Sequence, residues 1–409
     1  MTRRDEDTIS ITGDVKWIGI RDYDIRTFDI VMTTDFGTTY NSFFVNARKK
    51  AIIEIAKEKF SDTYFRKLES LVNPGDISYI VVDHTEPDHV GSLGKLLRMA
   101  PDAIVVGSGN AIRYLEDIVN FPFRALTVKD GDTLDLGDKK LRFIAAPNLH
   151  WPDSMYTYLE EDRILFTCDS FGAHYCTEDI FSQFTPEYNA AFKYYFDVIL
   201  RPFSRFMLKA IEKISPLAID CICPGHGPVH RGESIRKAVD LSRSLAREYI
   251  EVTQNTASKK VLVTYVSAYG YTKEAAGIIA SGIREKDGIE AEVVDIENIS
   301  PADLEGLIIR CRGILIGSPT INQNTLLPVY TLFALVNPIR DRGKLAGAFG
   351  SFGWSGEAQK IISENLRQLK LNVFDGNGSF KFSPAAGEKE QALREFGRNF
   401  AEKLLEECK

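Results

Sequence analysis

Apolar runs typical of buried strands alternate with helix-like stretches from residue 259 to the end of the chain. The strand-like runs are VLVTYV (261–266), EAEVVDI (290–296), GILIGSP (313–319) and LAGAFGSF (345–352), and the helix-like stretches are 272–286 and 363–371. This alternation indicates a parallel, doubly wound sheet, which binds ligands at the carboxyl ends of its strands. We therefore predict an α/β fold for this half, with a ligand site in its strand-end loops.

One boundary divides the 409 residues. Residues 234–252 have the pattern of an amphipathic helix, a polar segment follows at 253–260, and the first apolar run of the second half comes next. We expect one domain at 1–253 and a second at 259–409. The first is rich in strand patterns, which predict sheets flanked by helices: VKWIGI, DIVMTT, SYIVVDH, AIVVGS, LRFIAAP, MYTYLE and RILFTCD.

Composition excludes several classes of protein. The formal net charge of -7 argues against nucleic acid or an anionic membrane as a partner. No apolar run approaches the roughly 18 residues of a membrane span, and the charged start, MTRRDEDTIS, is unlike a signal peptide. We expect a cytoplasmic protein whose sparse cysteines are reduced, mostly buried thiols. They are Cys168, Cys176, Cys221, Cys223, Cys311 and Cys408.

Histidines and carboxylates follow four of the apolar runs in the first half. SYIVVD leads into His84-Thr85-Glu86-Pro87-Asp88-His89, LRFIAAPNL into His150, RILFTC into Asp169, and IDCICPG into His226. Because strand ends on one edge of a sheet converge, we expect these side chains to meet as a metal site. Pro87, Pro224 and Gly225 are expected to keep the ligand loops out of helix and to turn them tightly.

The motif H-x-E-x-D-H with later His, Asp and His resembles the metallo-β-lactamase superfamily, and specifically its flavodiiron proteins. In that family an αββα domain precedes a flavodoxin-like domain, which is the order of the two halves here. The resemblance covers nearly the whole chain. It implies that His84, Glu86 and His150 hold one iron ion, that Asp88, His89 and His226 hold a second, and that Asp169 bridges both.

The donor types agree with iron. Each metal would receive two imidazoles, a terminal carboxylate and a share of the bridge, and such nitrogen–oxygen sites with open positions suit non-haem iron. In related zinc hydrolases a histidine stands where this chain has Glu86. The resemblance also implies that His174 and Tyr195 line the substrate pocket and donate hydrogen bonds to a bound gas, although a core or surface role is the alternative. His230 is expected to lie at the surface, with hydrogen-bond partners for its ring and no role in the site.

The loops after three strands of the second half have the composition of an FMN site. Ser267-Ala268-Tyr269-Gly270-Tyr271-Thr272 joins a strand to a helix, and its hydroxyls and backbone N–H groups can surround a phosphate. Resemblance to flavodoxin-like proteins places Ser318, Pro319 and Thr320 on one side of the flavin ring, and Ser351, Phe352, Gly353 and Trp354 on the other. No G-x-G-x-x-G motif opens a strand–helix unit, so we do not expect direct binding of NADH.

The family resemblance implies an oxidoreductase that reduces dioxygen to water, nitric oxide to nitrous oxide, or both. Electrons would pass from an external donor to FMN and then to the diiron site. Since the sequence has no C-x-x-C pairs, we do not expect a fused rubredoxin. We expect a separate rubredoxin-like donor or a reduced deazaflavin coenzyme, and a head-to-tail homodimer or a dimer of dimers.

Two other functions fit parts of the pattern. The first is a zinc hydrolase with a fused flavodoxin-like module, against which Glu86 argues. The second is an electron shuttle with a vestigial metal site, against which the complete set of seven ligand positions argues. Metal analysis would separate the first from the flavodiiron interpretation, since zinc has no redox chemistry.

Overall fold

The chain forms two compact units, Met1–Ile250 and Glu251–Lys409. The computed structural model describes residues 7–28, 32–254, 259–374, 379–383 and 389–407. Cys408, residues 29–31 of the predicted strand DIVMTT, and residues 255–258 of the polar segment lie outside this part of the chain. The domain limits 1–253 and 259–409 therefore remain a prediction.

The first unit is built on short strands. In chain order they are β1 (Ile9–Ser10), β2 (Val15–Trp17), β3 (Ile20–Asp22), β4 (Thr27–Phe28), β5 (Met32–Thr33), β6 (Thr38–Tyr40), β7 (Phe43–Val45), β8 (Lys50–Ile53), β9 (Ile77–Val81), β10 (Ile104–Gly107), β11 (Arg124–Thr127), β12 (Thr133–Asp135), β13 (Lys140–Ala145), β14 (Met155–Leu159), β15 (Ile164–Phe166), β16 (Cys221–Cys223) and β17 (His230–Arg231).

Helices follow or interrupt these strands. They are α1 (Ser61–Glu69), α2 (Pro87–Val90), α3 (Leu93–Met99), α4 (Gly109–Val119), α5 (Pro186–Tyr195), α6 (Ser204–Ile214) and α7 (Glu233–Gln254). A π-helical turn, Phe196–Leu200, continues α5, and 3-10 turns occupy Glu58–Phe60, Pro74–Asp76 and Arg201–Phe203. The amphipathic pattern at 234–252 thus lies within α7, as predicted.

Two mixed sheets form the centre of the first unit. One has the order β1-β2-β7-β8-β9-β10-β11 and the other β12-β13-β14-β15-β16-β17. Successive residues of a strand point to opposite faces of the sheet, so neighbouring residues of β8 pack in different cores. Ile53 packs between the two sheets together with Phe143 of β13, whereas Ile52 packs against α1 on the other face of its sheet. The second sheet packs its other face on α5, α6 and α7. This arrangement is the predicted αββα fold.

The second unit is a doubly wound sheet, as predicted. Its strands are β18 (Lys260–Tyr265), β19 (Glu290–Asp295), β20 (Gly313–Gly317), β21 (Leu345–Ser351), β22 (Asn372–Val373) and β23 (Ser379–Phe382). Its helices are α8 (Tyr271–Arg284), α9 (Pro301–Arg310), α10 (Leu327–Leu335), α11 (Ala358–Gln368) and α12 (Lys389–Glu407), and a 3-10 turn covers Ile296–Asn298.

The strand order of this sheet is β19-β18-β20-β21-β22, and every pairing within it is parallel. Apolar residues on both faces of β18 explain why its sequence is a continuous apolar run rather than an alternating one. Val261 and Val263 pack against α8 and α12, whereas Leu262 packs against α9 and α10. Helix α11 ends at Gln368, three residues before the end of the predicted helix.

None of the helices among the described residues combines the length and the apolar character that crossing a bilayer requires.

Candidate metal centre and flavin site

The seven predicted metal ligands meet in the first unit, but they come from two sheets rather than from one edge of a single sheet. His84 follows β9 of the seven-stranded sheet, whereas His150, Asp169 and His226 follow β13, β15 and β16 of the six-stranded sheet. The expectation of one sheet edge was therefore wrong. The ligands converge because the two sheets pack face to face and the loops of both reach the same end of the shared core.

Pro87 begins a helical turn rather than preventing one. Helix α2 spans Pro87–Val90, so that Asp88 and His89 both lie on it. Proline is well tolerated at the first position of a helix, where its missing N–H has no partner to lose. This corrects the expectation that Pro87 keeps its loop out of helix.

Four of the ligands form one group around the Nε2 atom of His150. This atom lies 2.9 Å from Glu86 Oε2 and 2.9 Å from Asp169 Oδ2. His84 Nε2 lies 3.5 Å from Glu86 Oε2 and 3.7 Å from Asp169 Oδ2. One ligand atom from each of these four residues therefore lies within 4.8 Å of the others.

Asp88, His89 and His226 form the second group. The Nε2 atoms of His89 and His226 are 3.1 Å apart, and Asp88 Oδ2 lies 3.6 Å from the first and 3.2 Å from the second. Asp169 faces this group with its other oxygen, since Oδ1 lies 3.4 Å from His89 Nε2 and 3.8 Å from His226 Nε2. The two oxygens of Asp169 thus point to different groups.

Gly225 permits the close approach of the His226 loop. A Cβ atom at this position would lie 2.6 Å from His89 Cε1 and 3.0 Å from Asp169 Oδ1. Any larger residue would therefore push apart two groups of the cluster. Glycine is needed at this position for space, since its φ lies outside the left-handed region.

Glu54 is part of the site, and the sequence analysis missed it. Its Oε2 lies 2.9 Å from His89 Nδ1 and 3.5 Å from His84 Nδ1, while its Oε1 accepts a hydrogen bond from the backbone N–H of Asp83 at 2.6 Å. Glu54 is fully buried, with a φ of 60°. It therefore holds both histidines from behind, which leaves their Nε2 atoms directed to the centre. A carboxylate inside the apolar run AIIEIA was the only signal.

The electrostatics of the cluster favour charged carboxylates. Burial opposes charge on Glu86, but hydrogen bonds from His150 and His84 lower its pKa to about 2. Burial alone would lower the pKa of His89 and His150, yet the carboxylates raise the first to about 10 and the second to about 9. The pKa of Asp169 is well below its usual range because three histidines outweigh its burial. The carboxylates of the cluster are thus charged before any metal binds, which favours the binding of cations.

The hydrogen-bond pattern shows that the site fits metal ions. Glu54 Oε2 lies 2.9 Å from His89 Nδ1, and His226 Nδ1 donates to the carbonyl of Thr39 at 2.6 Å, so the Nε2 atoms of both rings face each other. Two lone pairs at 3.1 Å repel unless a proton or a metal ion lies between them. Buried oxygens of Asp88 and Asp169 also lack hydrogen-bond partners in the described part of the chain. A pair of cations would satisfy all of these atoms.

His174 and Tyr195 lie beside the second ligand group. The His174 ring packs edge-on against His226 and Tyr195, with ring centroids 5.1 and 4.8 Å away, and stacks on Phe28 at 4.4 Å. Both residues are buried, and His174 Nε2 and the Tyr195 hydroxyl have no hydrogen-bond partner among the described residues. Burial lowers the pKa of His174 to about 3, so its ring is neutral. Tyr195 ends α5, at the start of the π-helical turn.

His230 is buried, not a surface residue as expected. Its Nε2 donates to the carbonyl of Phe171 at 2.8 Å, and Ser182 Oγ lies 3.0 Å from its Nδ1. Both ring nitrogens are therefore satisfied, as the sequence analysis anticipated, and His230 belongs to neither ligand group. The surface expectation failed because aromatic side chains cover this edge strand: the rings of Phe184, Tyr188 and Phe192 have centroids 5.9, 6.3 and 6.3 Å from that of His230.

His230 is expected to make folding sensitive to acid. Burial lowers its pKa in the folded protein from 6.5 to about 4, so the unfolded chain binds more protons between these values. The stability due to neutral His230 is complete above about pH 6.5 and is lost as the pH falls through 4, by about 3 kcal/mol. We expect the free-energy gap between wild type and His230→Gln to narrow by this amount, as measured by chemical unfolding from about pH 7 to about pH 4.

Wild type and His230→Gln share all other acid-sensitive groups, so the effects of those groups cancel in the difference between the two free energies of unfolding. Unfolding curves for wild type and His230→Gln that shift in parallel over the whole pH range would contradict the assignment of this acid sensitivity to His230.

The three predicted flavin loops lie at one edge of the sheet in the second unit. They follow β18, β20 and β21, which are adjacent and parallel. Hydrogen bonds tie the loops together: the hydroxyls of Thr272 and Ser351 are 3.0 Å apart, and the backbone N–H of Thr320 donates to the carbonyl of Ser351 at 2.9 Å. The topology thus places the predicted residues side by side.

The rim of these loops carries open aromatic surface. Tyr269 is 81% exposed and Trp354 is 78% exposed, although both are large apolar side chains. Gly270, with φ of 85°, precedes the 14-residue helix α8, whose first N–H groups face the loop. A helix N-terminus beside exposed aromatic faces fits a planar ring that carries a phosphate.

The two units define a class of protein in which a β-lactamase-like metal domain is joined to a flavodoxin-like domain. Residues 38–227 match the model of the ODP family beta lactamase, and residues 263–396 match the flavodoxin model. The chain is 37% identical over 402 residues to the flavo-diiron protein FprA2 of Clostridium acetobutylicum, which covers 97% of this chain and 99% of that protein. It therefore belongs to the flavodiiron protein family, as the sequence resemblance predicted.

Other relatives agree. Type A flavoprotein fprA of Rhodobacter capsulatus is 36% identical over 400 residues, which cover 97% of this chain and 91% of that protein. The flavodiiron protein from Giardia intestinalis has a TM-score of 0.65 at 30% identity and covers 98% of both chains. The rubredoxin oxygen:oxidoreductase from the anaerobe Desulfovibrio gigas has a TM-score of 0.68 at 26% identity, with coverage of 98% and 99%. Family membership implies an oxidoreductase with FMN and a diiron site.

Proposed function

We propose that this chain reduces dioxygen to water, nitric oxide to nitrous oxide, or both. Electrons would pass from an external donor to FMN and then to the diiron site. The observation that supports this function best is the buried convergence of four imidazoles and three carboxylates in two groups that share Asp169. A hydrolytic site needs no redox-active metal, whereas this donor set suits iron.

The ligand assignment follows the two groups. His84, Glu86 and His150 would hold one iron, and Asp88, His89 and His226 would hold the other. Asp169 would bridge them, because its two oxygens face different groups. When bound, the iron pair supplies the redox chemistry and the open positions that accept a diatomic gas.

The protein residues provide the geometry and the surroundings for this chemistry. Glu54 fixes two ligand rings through their Nδ1 atoms, and the carboxylates of Glu86, Asp88 and Asp169 balance the positive charge of the metals. His174 and Tyr195 would donate hydrogen bonds to the bound gas from Nε2 and from the phenolic oxygen. Their burial supports this role, because it excludes competing water from both donors.

FMN would lie across the three loops of the second unit. The phosphate would be held at the start of α8 by Ser267, Ala268, Tyr269, Gly270, Tyr271 and Thr272. The ring would lie between Ser318, Pro319 and Thr320 on one side and Ser351, Phe352, Gly353 and Trp354 on the other. The mutual hydrogen bonds of these loops support a site that exists before the flavin binds.

Substituting Ser267 tests the phosphate assignment. Ser267 Oγ accepts a hydrogen bond from the backbone N–H of Lys273 at 3.3 Å, which leaves its own proton for an acceptor outside the chain. We expect Ser267→Ala to weaken FMN binding by about 10- to 100-fold, the value of one hydrogen bond to a charged group. The dissociation constant is measured by quenching of flavin fluorescence. Ser281→Ala, in α8, should bind FMN normally, since the Ser281 hydroxyl donates to the carbonyl of Gly277 within its own helix.

The external donor would be a rubredoxin-like protein or a reduced deazaflavin coenzyme. The Desulfovibrio gigas relative, a rubredoxin oxygen:oxidoreductase, supports the first of these. We further propose a head-to-tail homodimer or a dimer of dimers. Electron transfer needs the two cofactors close together, and the family resemblance implies that the flavin of one chain faces the irons of its partner. The five cysteines that the structure describes are buried free thiols, which supports a cytoplasmic location.

Anaerobic stopped-flow oxidation tests the proposed function. The reduced protein, with iron and flavin counted per chain, is mixed with dioxygen or with nitric oxide, and the absorbance of the flavin is followed. We expect rapid flavin oxidation by at least one gas in protein that contains two irons, and slow oxidation in protein without iron. Equal rates with and without iron would contradict the proposal, as would full occupancy of the site by zinc together with hydrolase activity.

A further inference from the structure

Thr38 lies between two histidines of the metal region, and the sequence analysis gave it no role. Its hydroxyl oxygen is 2.9 Å from His174 Nδ1 and 3.4 Å from His226 Nδ1, and the residue is fully buried on β6. The only other acceptor that the described structure places near this hydroxyl is the carbonyl oxygen of Thr39, at 3.4 Å. Among the described residues, the Thr38 hydroxyl therefore has three possible partners: His174, His226 and the carbonyl of Thr39.

The neighbours of His226 determine which of its ring nitrogens carries a proton. His226 Nδ1 is 2.6 Å from the carbonyl oxygen of Thr39, and a carbonyl can only accept a hydrogen bond. His226 must therefore carry a proton on Nδ1. Its Nε2 is left with a lone pair, 3.2 Å from Asp88 Oδ2 in the second ligand group.

The protonation of His226 in turn determines which acceptor the Thr38 hydroxyl can donate to. Its hydroxyl cannot donate to His226 Nδ1, because that nitrogen already carries a proton. The carbonyl of Thr39 is distant at 3.4 Å and already accepts the short bond from His226. The remaining acceptor is His174 Nδ1 at 2.9 Å, which is a normal hydrogen-bond length.

We propose that Thr38 is a positioning residue that sets the tautomer of His174. With Nδ1 accepting from Thr38, the neutral ring carries its proton on Nε2. That nitrogen is buried without a partner among the described residues, on a ring clamped by Phe28 and Tyr195. His174 is thereby fixed as a hydrogen-bond donor, and it selects a ligand that presents an electronegative atom. Only this last consequence depends on the proposed gas reduction.

The tautomer can be observed without any turnover. The full chain is labelled with ¹⁵N-histidine and loaded with zinc in place of iron, because zinc is diamagnetic and has no redox chemistry. Two-bond ¹H–¹⁵N correlation spectra then distinguish a ring protonated on Nε2 from one protonated on Nδ1. His174→Asn identifies the signals that belong to His174.

We expect the wild-type protein to show His174 protonated on Nε2. Thr38→Ser keeps the hydroxyl and should keep this pattern, whereas Thr38→Val removes the donor and should lose it. Thr34→Val is the matched control, since Thr34 is a buried threonine whose hydroxyl contacts no histidine, and it should leave the pattern unchanged.

A wild-type His174 protonated on Nδ1 would overturn the proposal, and so would a Thr38→Val protein with an unaltered His174 spectrum. If Thr38→Val does not fold, the wild-type and Thr38→Ser spectra still decide the question. The proposed function fails separately: iron-loaded protein that reduces neither gas would contradict it while leaving the tautomer assignment intact.

Discussion

Replacing Asp169 by asparagine is expected to remove both metal affinity and gas reduction. The two oxygens of Asp169 face different ligand groups, so an amide can serve at most one of them. The buried imidazoles would also lose the negative charge that holds the cluster together. We expect fewer than the two irons per chain of wild type, and a gas-reduction rate lower by more than about 100-fold, since even residues behind the ligands contribute 10- to 100-fold.

Iron is measured by elemental analysis and the rate by stopped-flow oxidation of reduced protein. Asp162→Asn is the matched control, because Asp162 is a partly buried aspartate of the same unit that pairs with Lys139. It should retain both irons and a normal rate. An Asp169→Asn protein with two irons and an undiminished rate would rule out a bridging role for this carboxylate.

Glu54→Gln is expected to weaken metal binding although Glu54 is not a ligand. Oε2 lies 2.9 Å from His89 Nδ1 and 3.5 Å from His84 Nδ1, and Oε1 accepts a hydrogen bond from the backbone N–H of Asp83. An amide replaces one acceptor with a donor, so it must oppose one of these N–H groups. Outer residues that orient metal ligands typically contribute 10- to 100-fold to affinity, and we expect a loss of about that size.

The measurement is the iron retained per chain after dialysis against increasing concentrations of a chelator. Glu160→Gln provides the comparison, because Glu160 pairs with Arg142 at the surface of the second sheet. The free energy of unfolding without metal should be recorded for both variants to separate misfolding from lost orientation. Retention of iron equal to that of wild type would show that Glu54 does not position these histidines.

The ligand set could be predicted because its chemistry is concentrated in the sequence. Four of the seven residues lie within His84–His89, and the other three follow apolar strands at intervals that a family motif records. The αββα and doubly wound folds and the two cofactors also followed from these motifs and are confirmed by family membership. Local sequence suffices when a residue's role depends on its own strand and loop.

Roles that depend on distant packing were not predictable in this way. Glu54 is 29 residues from the Asp83 backbone that it binds, and Thr38 is 136 residues from His174. Single polar residues of this kind have no spacing pattern to reveal them. The burial of His230 was missed for the same reason, because it depends on the rings of α5 that pack over β17. The use of two sheets instead of one depends on how the sheets pack.

The division of the ligands between two sheets has a mechanical consequence. A metal ion bound by His84, which follows a strand of one sheet, and by His150 and Asp169, which follow strands of the other, would cross-link the two sheets at one end. Without the ions, side-chain contacts such as that of His150 with Glu86 join the two sheets at that end, so the sandwich should loosen there first. Loss of the ions would then destabilise the first unit, whereas the flavodoxin-like unit keeps its own independent core.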